Sequence, residues 1–141
     1  MNTLQGKISK LTISGSLTLI NILVDEIGVS AIVIDTPETA PYLKIDHDIT
    51  VIFKETEVII GVGNTDGISM RNKFVGTISK IESKELLSKL TIDTTVGNVC
   101  SIITTNAVNQ LGLKVGLEVT AMIKTNEIML SDDWLGTTHI N

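Results

Sequence analysis

The chain has 141 residues, a formal net charge of −5, and 43% apolar against 19% charged residues; this excludes a disordered chain and argues against a general nucleic-acid binder. One cysteine, Cys100, and two distant histidines, His47 and His139, exclude an intrachain disulfide and a Cys/His metal cluster. Aromatics are only 3%, so the core is aliphatic, and a mean hydropathy of +0.33 in so small a chain points to surface buried in an oligomer.

Residues 4–13 read as a strand closing in Leu11-Thr12-Ile13. Residues 17–25 alternate around Leu17, Leu19, Asn21 and Leu23, and residues 29–34 form a short apolar run after Gly28. β-branched side chains favour strand over helix in both. A helical turn follows, with Thr36 as N-cap, Pro37 at the first helical position and Pro41 as the stop. Residues 48–54 and 57–60 give two more strands. The stretch Gly61-Val62-Gly63-Asn64-Thr65-Asp66-Gly67 is a boundary rich in turn formers.

The pattern then repeats at an offset of 70 without gaps, from Asn2/Asn72 to Ile60/Leu130. Gly6-Lys7-Ile8-Ser9-Lys10 returns as Gly76-Thr77-Ile78-Ser79-Lys80, Leu43-Lys44 as Leu113-Lys114, and Lys54 as Lys124. Strands are expected at 74–82, 86–94, 98–104, 117–124 and 127–130, with a helix from Thr105 to Leu111 closed by Gly112. The fold class is therefore all-β with one short helix per repeat, as two tandem five-stranded OB-fold-like barrels. The domains are expected at 1–64 and 65–141, the second with a C-terminal tail carrying Trp134 and Leu135, which either docks on a neighbouring barrel or frays. No apolar run is long enough to span a membrane. Met1-Asn2-Thr3-Leu4-Gln5 lacks a basic segment ahead of an apolar one, so a cytoplasmic location is expected.

Catalytic chemistry finds little support. His47 lies between Asp46 and Asp48 in a solvated turn, His139 sits in the last three residues, and Cys100 sits inside the apolar strand Val99-Cys100-Ser101-Ile102-Ile103. Gly61-Val62-Gly63 lacks the lysine and hydroxyl residue of a phosphate loop. The expectation is a non-enzyme without an organic cofactor. An OB-type nucleic-acid groove needs stacking aromatics and positive charge, and the aromatics are limited to Tyr42, Phe53, Phe74 and Trp134. Anion binding fits better. Ser69 and Arg71, the only arginine, precede the first strand of the second copy. Thr104 and Thr105 stand at a helix start, and Lys124 ends a strand. These are donors without a carboxylate among them, as an oxyanion requires. The plainer reading makes Arg71 a solvated linker charge and Thr105 a simple N-cap.

Ser69-Met70-Arg71-Asn72-x-x-x-Gly76-x-Ile78 resembles the opening of the Mop domain, a TOBE-type domain. Ile103-Thr104-Thr105-Asn106 through Gly112-Leu113-Lys114-Val115-Gly116, and Glu118-Val119-Thr120-Ala121-Met122-Ile123-Lys124 with Ile128-Met129-Leu130, are similar to its two later blocks. The resemblance covers the second half and reaches the first through the repeat, like the tandem Mop molbindins. It implies binding of molybdate or tungstate between barrels, a homo-oligomer with a trimer favoured, and neither nucleic acid nor membrane as partner. The implied ligands are Ser69, Arg71, Thr104, Lys124 and the Thr125 amide, with Lys54 as the surviving side-chain ligand of the first copy.

The chain departs from the family pattern in ways that matter. Ala107 replaces the family's helix serine. In the first copy, Ile34 replaces Thr104, Pro37 replaces Ala107, and Asp35 and Glu38 add negative charge. Two like charges at about 4 Å repel by roughly 4 kcal/mol at an effective dielectric near 20, so fewer or weaker sites are expected. The alternative function is an anion-independent regulatory or interaction module related to molybdate-sensing and transport proteins.

Overall fold

In a computed structural model, which describes residues 1–132, each copy forms five strands. The first copy gives β1 (Asn2–Ser14), β2 (Leu17–Val24), β3 (Ile27–Val33), β4 (Asp48–Phe53) and β5 (Ile59–Gly61). The second gives β6 (Asn72–Ser83), β7 (Leu87–Thr94), β8 (Gly97–Thr104), α1 (Thr105–Leu111), β9 (Glu118–Ile123) and β10 (Met129–Ser131). A short 3-10 turn that the strand pattern does not announce precedes the last strand of each copy, at Glu55–Glu57 and Thr125–Glu127. Trp134, Leu135 and His139 lie outside the described residues.

Two compact units result. Unit 1 comprises Met1–Asn2 and Lys54–Ile123, and unit 2 comprises, among the described residues, Thr3–Phe53 and Lys124–Asp132. The division falls at Lys54 and Lys124 rather than in the glycine-rich stretch 61–67. The sheet of unit 1 runs β5-β9-β6-β7-β8, and that of unit 2 runs β10-β4-β1-β2-β3. Each copy thus hands its last strand to the sheet built on the other copy. β5 pairs with β9 through Ile59↔Met122, and β10 pairs with β4 through Met129↔Ile52.

Unit 1 shows how an edge is closed. Just before β5, the Val58 carbonyl accepts from the Ser101 hydroxyl of β8 at 2.7 Å. The Asn2 side chain then substitutes for a missing strand. Its Nδ2 donates to the Cys100 carbonyl at 2.9 Å, and its Oδ1 accepts from the Cys100 amide at 2.8 Å. A β8 edge with unpaired main-chain groups is thereby satisfied.

Alternation along the strands sets the cores. β2 buries Thr18, Ile20, Ile22 and Val24, and β7 buries Ser88, Leu90 and Ile92. The first strand of each copy is bent by a bulge, between Ile8 and Lys10 and between Ile78 and Lys80. The same main-chain clamp holds each bulge: Ile8 N–H donates to His47 O and Ile78 N–H to Leu117 O, both at 3.0 Å. In return Asp46 and Gly116 donate to the carbonyls of Ile8 and Ile78. Gly116 has φ +93° and Asp46 φ +69°, so the clamp needs a left-handed residue, which glycine supplies at least cost.

The helix forms in the second copy only. Thr104 caps it, and Gly112 at φ +63° ends it by donating to the carbonyls of Asn109 and Val108. In the first copy the corresponding segment makes one turn, with Ala40 N–H donating to Thr36 O at 2.8 Å. Pro41 has no N–H to continue the ladder and disfavours helical backbone at Ala40. The expected short helix of the first repeat is thus a single turn.

Gly6 and Gly76 are kept by the repeat because the neighbouring strand crosses too closely for a side chain. A Cβ on Gly76 would lie 2.5 Å from the Asp93 carbonyl oxygen and 2.8 Å from Ile92. Gly76→Ala is expected to destabilise the protein by about 1–3 kcal/mol, the range for overpacking. Urea unfolding of the variant against the parent measures it.

Candidate functional site

The segment between β5 and β6 delivers two of the expected ligands. Thr65 anchors it: the residue is buried, and its carbonyl accepts from Lys73 Nζ at 2.6 Å. Asn64 Oδ1 accepts from the Asp66 amide at 2.7 Å, and Ile68 N–H closes a turn on Thr65 O. Past this anchor Ser69 and Arg71 are exposed, and neither makes a hydrogen bond or ion pair among the described residues. The Arg71 guanidinium thus has its donors uncommitted among the described residues.

Thr104 ends β8 and caps α1. Its hydroxyl oxygen accepts from the Ala107 amide at 3.1 Å, which leaves the hydroxyl proton to donate outward. Thr105 is different. Its hydroxyl donates to the Lys84 carbonyl at 2.7 Å and meets Ser88 Oγ at 2.8 Å, and its amide donates to Leu86 O. Thr105 therefore ties the start of α1 to the β6–β7 turn and has no donor to spare.

Lys54 leads into the 3-10 turn Glu55–Glu57, which packs along β8. Glu55 pairs with Lys89 at 3.7 Å, and Lys89 stands opposite Ile102, two residues before Thr104. The turn after Lys54 thus lies toward the Thr104 end of β8. Lys124 and Thr125 stand at the equivalent turn and belong to unit 2. Thr125 opens that turn, whose first N–H groups have no partner within it. Lys54 and Lys124 are both exposed and make no hydrogen bond or ion pair among the described residues.

The register separates the candidates within unit 1. Thr104 stands opposite Leu87, whereas Gly76 stands opposite Thr94 at the other end of β7. At about 3.3 Å per residue those ends lie roughly 23 Å apart along the strand. Arg71 lies five residues beyond Gly76. Arg71 and Thr104 of one unit therefore flank opposite ends of its sheet. Thr104 shares its end with the Lys54 turn, and this sorting depends on the strand exchange, which no residue pattern announces.

Apart from Lys54, the first copy offers no donors equivalent to those of the second. Ile34, at the place of Thr104, is 79% exposed. The Asp35 carboxylate accepts from the Thr39 hydroxyl, and Thr18 donates to the Asp35 carbonyl at 2.6 Å. A depression of about 340 Å³ on unit 2 is lined by Lys7, Asp25, Asp46 and Asp48 among others. Its one lysine already donates to Asp48 at 2.7 Å, so this depression repels an oxyanion. His47 lies in the turn before β4, where its Nε2 is hydrogen-bonded to Asp132 Oδ1. Among the described residues no group of three His, Cys, Asp or Glu is placed to hold a metal ion, and no helix is long and apolar enough to cross a membrane.

Residues 68–130 match the family model described as the TOBE domain. The chain is 33% identical over 64 residues to Molybdenum-pterin-binding protein 1 of Clostridium pasteurianum, a match covering 45% of this chain and 94% of that protein. It is 34% identical over 70 residues to the Molybdenum transport protein ModE of Herbaspirillum seropedicae, and that match covers 48% of this chain. The chain spans about a quarter (26%) of the ModE protein's length. Among solved structures it is similar to the cytoplasmic molybdate-binding protein ModG, crystallised with molybdate bound. The TM-score is 0.83 with 26% identity, covering 92% of this chain and 94% of that one.

Replacing Thr104 with Val removes the cap and the outward hydroxyl, and is expected to cost about 1 kcal/mol of stability. Thr104→Ser is expected to retain it, and thermal unfolding of the two variants separates them.

Proposed function

Because this chain belongs to the Mop/TOBE family of molybdate-binding proteins, we propose that it captures molybdate or tungstate reversibly, as a store or buffer in the cytoplasm. No bond is made or broken in this reading. The anion's oxygens accept hydrogen bonds from fixed donors, and its charge is met by cations that have no carboxylate partner.

The observation that carries the reading is the set of uncommitted donors at Ser69, Arg71, Thr104 and Lys54. Arg71 and Thr104 lie at opposite ends of one sheet. One anion held by both needs the arginine of a second chain. The site then lies between chains, and the anion stabilises a homo-oligomer by mass action; a trimer is the assembly the family resemblance favours. Lys124 and the Thr125 amide face the poorer environment of the first copy, where Ile34 and Asp35 stand. That copy therefore contributes weaker sites or none. The second reading, an anion-independent interaction module, is favoured only there, by Ile34 and the missing helix.

Molybdate at one hundred times its Kd stabilises the folded form by about 2.7 kcal/mol, so Tm is expected to rise by several degrees. Sulfate at equal concentration is expected to leave Tm unchanged. Arg71→Ala and Lys54→Ala are each expected to abolish most of the rise, whereas Lys124→Ala abolishes less of it. Differential scanning calorimetry with both anions reads all three. An unchanged Tm with molybdate overturns the reading.

A further inference from the structure

The 3-10 turn after β4 carries a charge that works against an oxyanion. Glu55 follows Lys54 directly and opens that turn. Its side chain is only 20% exposed, and its Oε2 lies 3.7 Å from Lys89 Nζ. The Met1 ammonium approaches the same oxygen at 3.6 Å. Lys89 stands opposite Ile102, and Thr104 lies two residues farther along β8 on the same outward face, a step of about 7 Å. A fixed negative charge therefore stands beside Lys54 and toward Thr104.

The repeat supplies the comparison. At the offset of 70, Glu55 corresponds to Thr125 and Lys89 to Leu19. Glu55 comes from the first copy and Lys89 from the second, and the strand exchange brings them into one unit. In unit 1 the Glu55 turn packs along β8. In unit 2 the Thr125 turn packs along β3, where Ile32 stands opposite Leu19. One unit thus holds both charges and the other holds neither. An exposed ion pair adds little stability by itself, so folding does not account for the two charges coming and going together. Glu82, across from Lys89 on β6, is met by Lys80 at 3.6 Å, which leaves Lys89 to Glu55.

We propose that Lys89 is a further determinant of oxyanion affinity, acting through Glu55, whose carboxylate it neutralises beside Lys54 and Thr104. The proposal rests on the anion reading above. Charges act over about 10 Å at 0.1 M salt, farther than the step from Lys54 to its neighbour Glu55. Left unpaired, Glu55 repels a doubly charged anion and competes with it for the charge of Lys54. Paired with Lys89 it carries no net charge outward, and Lys54 is left to the ligand. The turn in unit 2 brings Thr125 to this place, so a neutral Leu19 suffices where unit 1 requires Lys89.

Isothermal titration calorimetry of the whole protein with molybdate, at low ionic strength, reads this as a double-mutant cycle. Lys89→Met is expected to weaken binding about three- to fivefold, and Glu55→Gln to tighten it by a similar factor. The two combined are expected to return to the parent affinity, and Lys89→Arg to keep it. The Met1 ammonium is common to all variants, so the cycle isolates Lys89. A pair that merely braced the turn leaves the double variant as weak as Lys89→Met; that result overturns the proposal, as does unchanged affinity of Lys89→Met. Circular dichroism reports whether the variants are folded. Where Lys89→Met does not fold, Glu55→Gln alone decides: tighter binding supports the proposal, and equal or weaker binding overturns it. A parent that binds no molybdate overturns this proposal and the anion reading together. A parent that binds while the cycle stays flat overturns this proposal alone.

Discussion

The exchange of the last strand governs everything else in this molecule. β5 completes the sheet of unit 1 and β10 that of unit 2. A single copy therefore lacks a strand of its own barrel, and its β4 or β9 edge would stand open to any passing strand. Two copies in one chain satisfy each other's edges, so the repeat serves the architecture directly. The exchange also decides which lysine stands in which unit. Lys54 of the first copy enters the unit that holds Thr104, and Lys124 of the second enters the unit that holds Ile34.

Much of the fold is legible in the sequence. Alternation at Leu17–Val24 and Leu87–Thr94 marks strands because each has one face to bury. The Gly6 and Gly76 pair marks close strand crossings because only glycine fits them. The offset of 70 ties the two patterns together. What the sequence conceals is long-range. A three-residue strand such as β5 carries too little pattern to name its partner, and Ile59 pairs with Met122 rather than with its own copy. The first-repeat helix misleads for a local reason: Thr36 and Pro37 signal a start, but Pro41 arrives before a second turn can close.

The candidate site is legible to a similar degree. Arg71 and Ser69 stand out as donors without acceptors nearby, and Thr104 as a cap. Thr105 looks equivalent to Thr104 in the sequence, yet its hydroxyl bridges Ser88 and the Lys84 carbonyl. Asn72, read only as part of a motif, is wholly buried. Its counterpart Asn2 shows what such an asparagine does: it pairs both ways with a strand edge. A motif that begins with residues expected to bind an anion thus ends in a residue of the architecture, and no spacing rule separates the two kinds.

Strand exchange also sets a timetable for synthesis. β4 is complete at Phe53, yet the strand that covers its edge is β10, at Met129–Ser131. At roughly 5–20 residues per second a ribosome takes about 4–16 seconds to supply the missing segment. During that interval the nascent first copy presents an uncovered β-edge, the kind of template that other strands can pair with. The linkage of both copies in one polypeptide raises the local concentration of the correct strand, so the gene's duplication acts as a chaperone in cis.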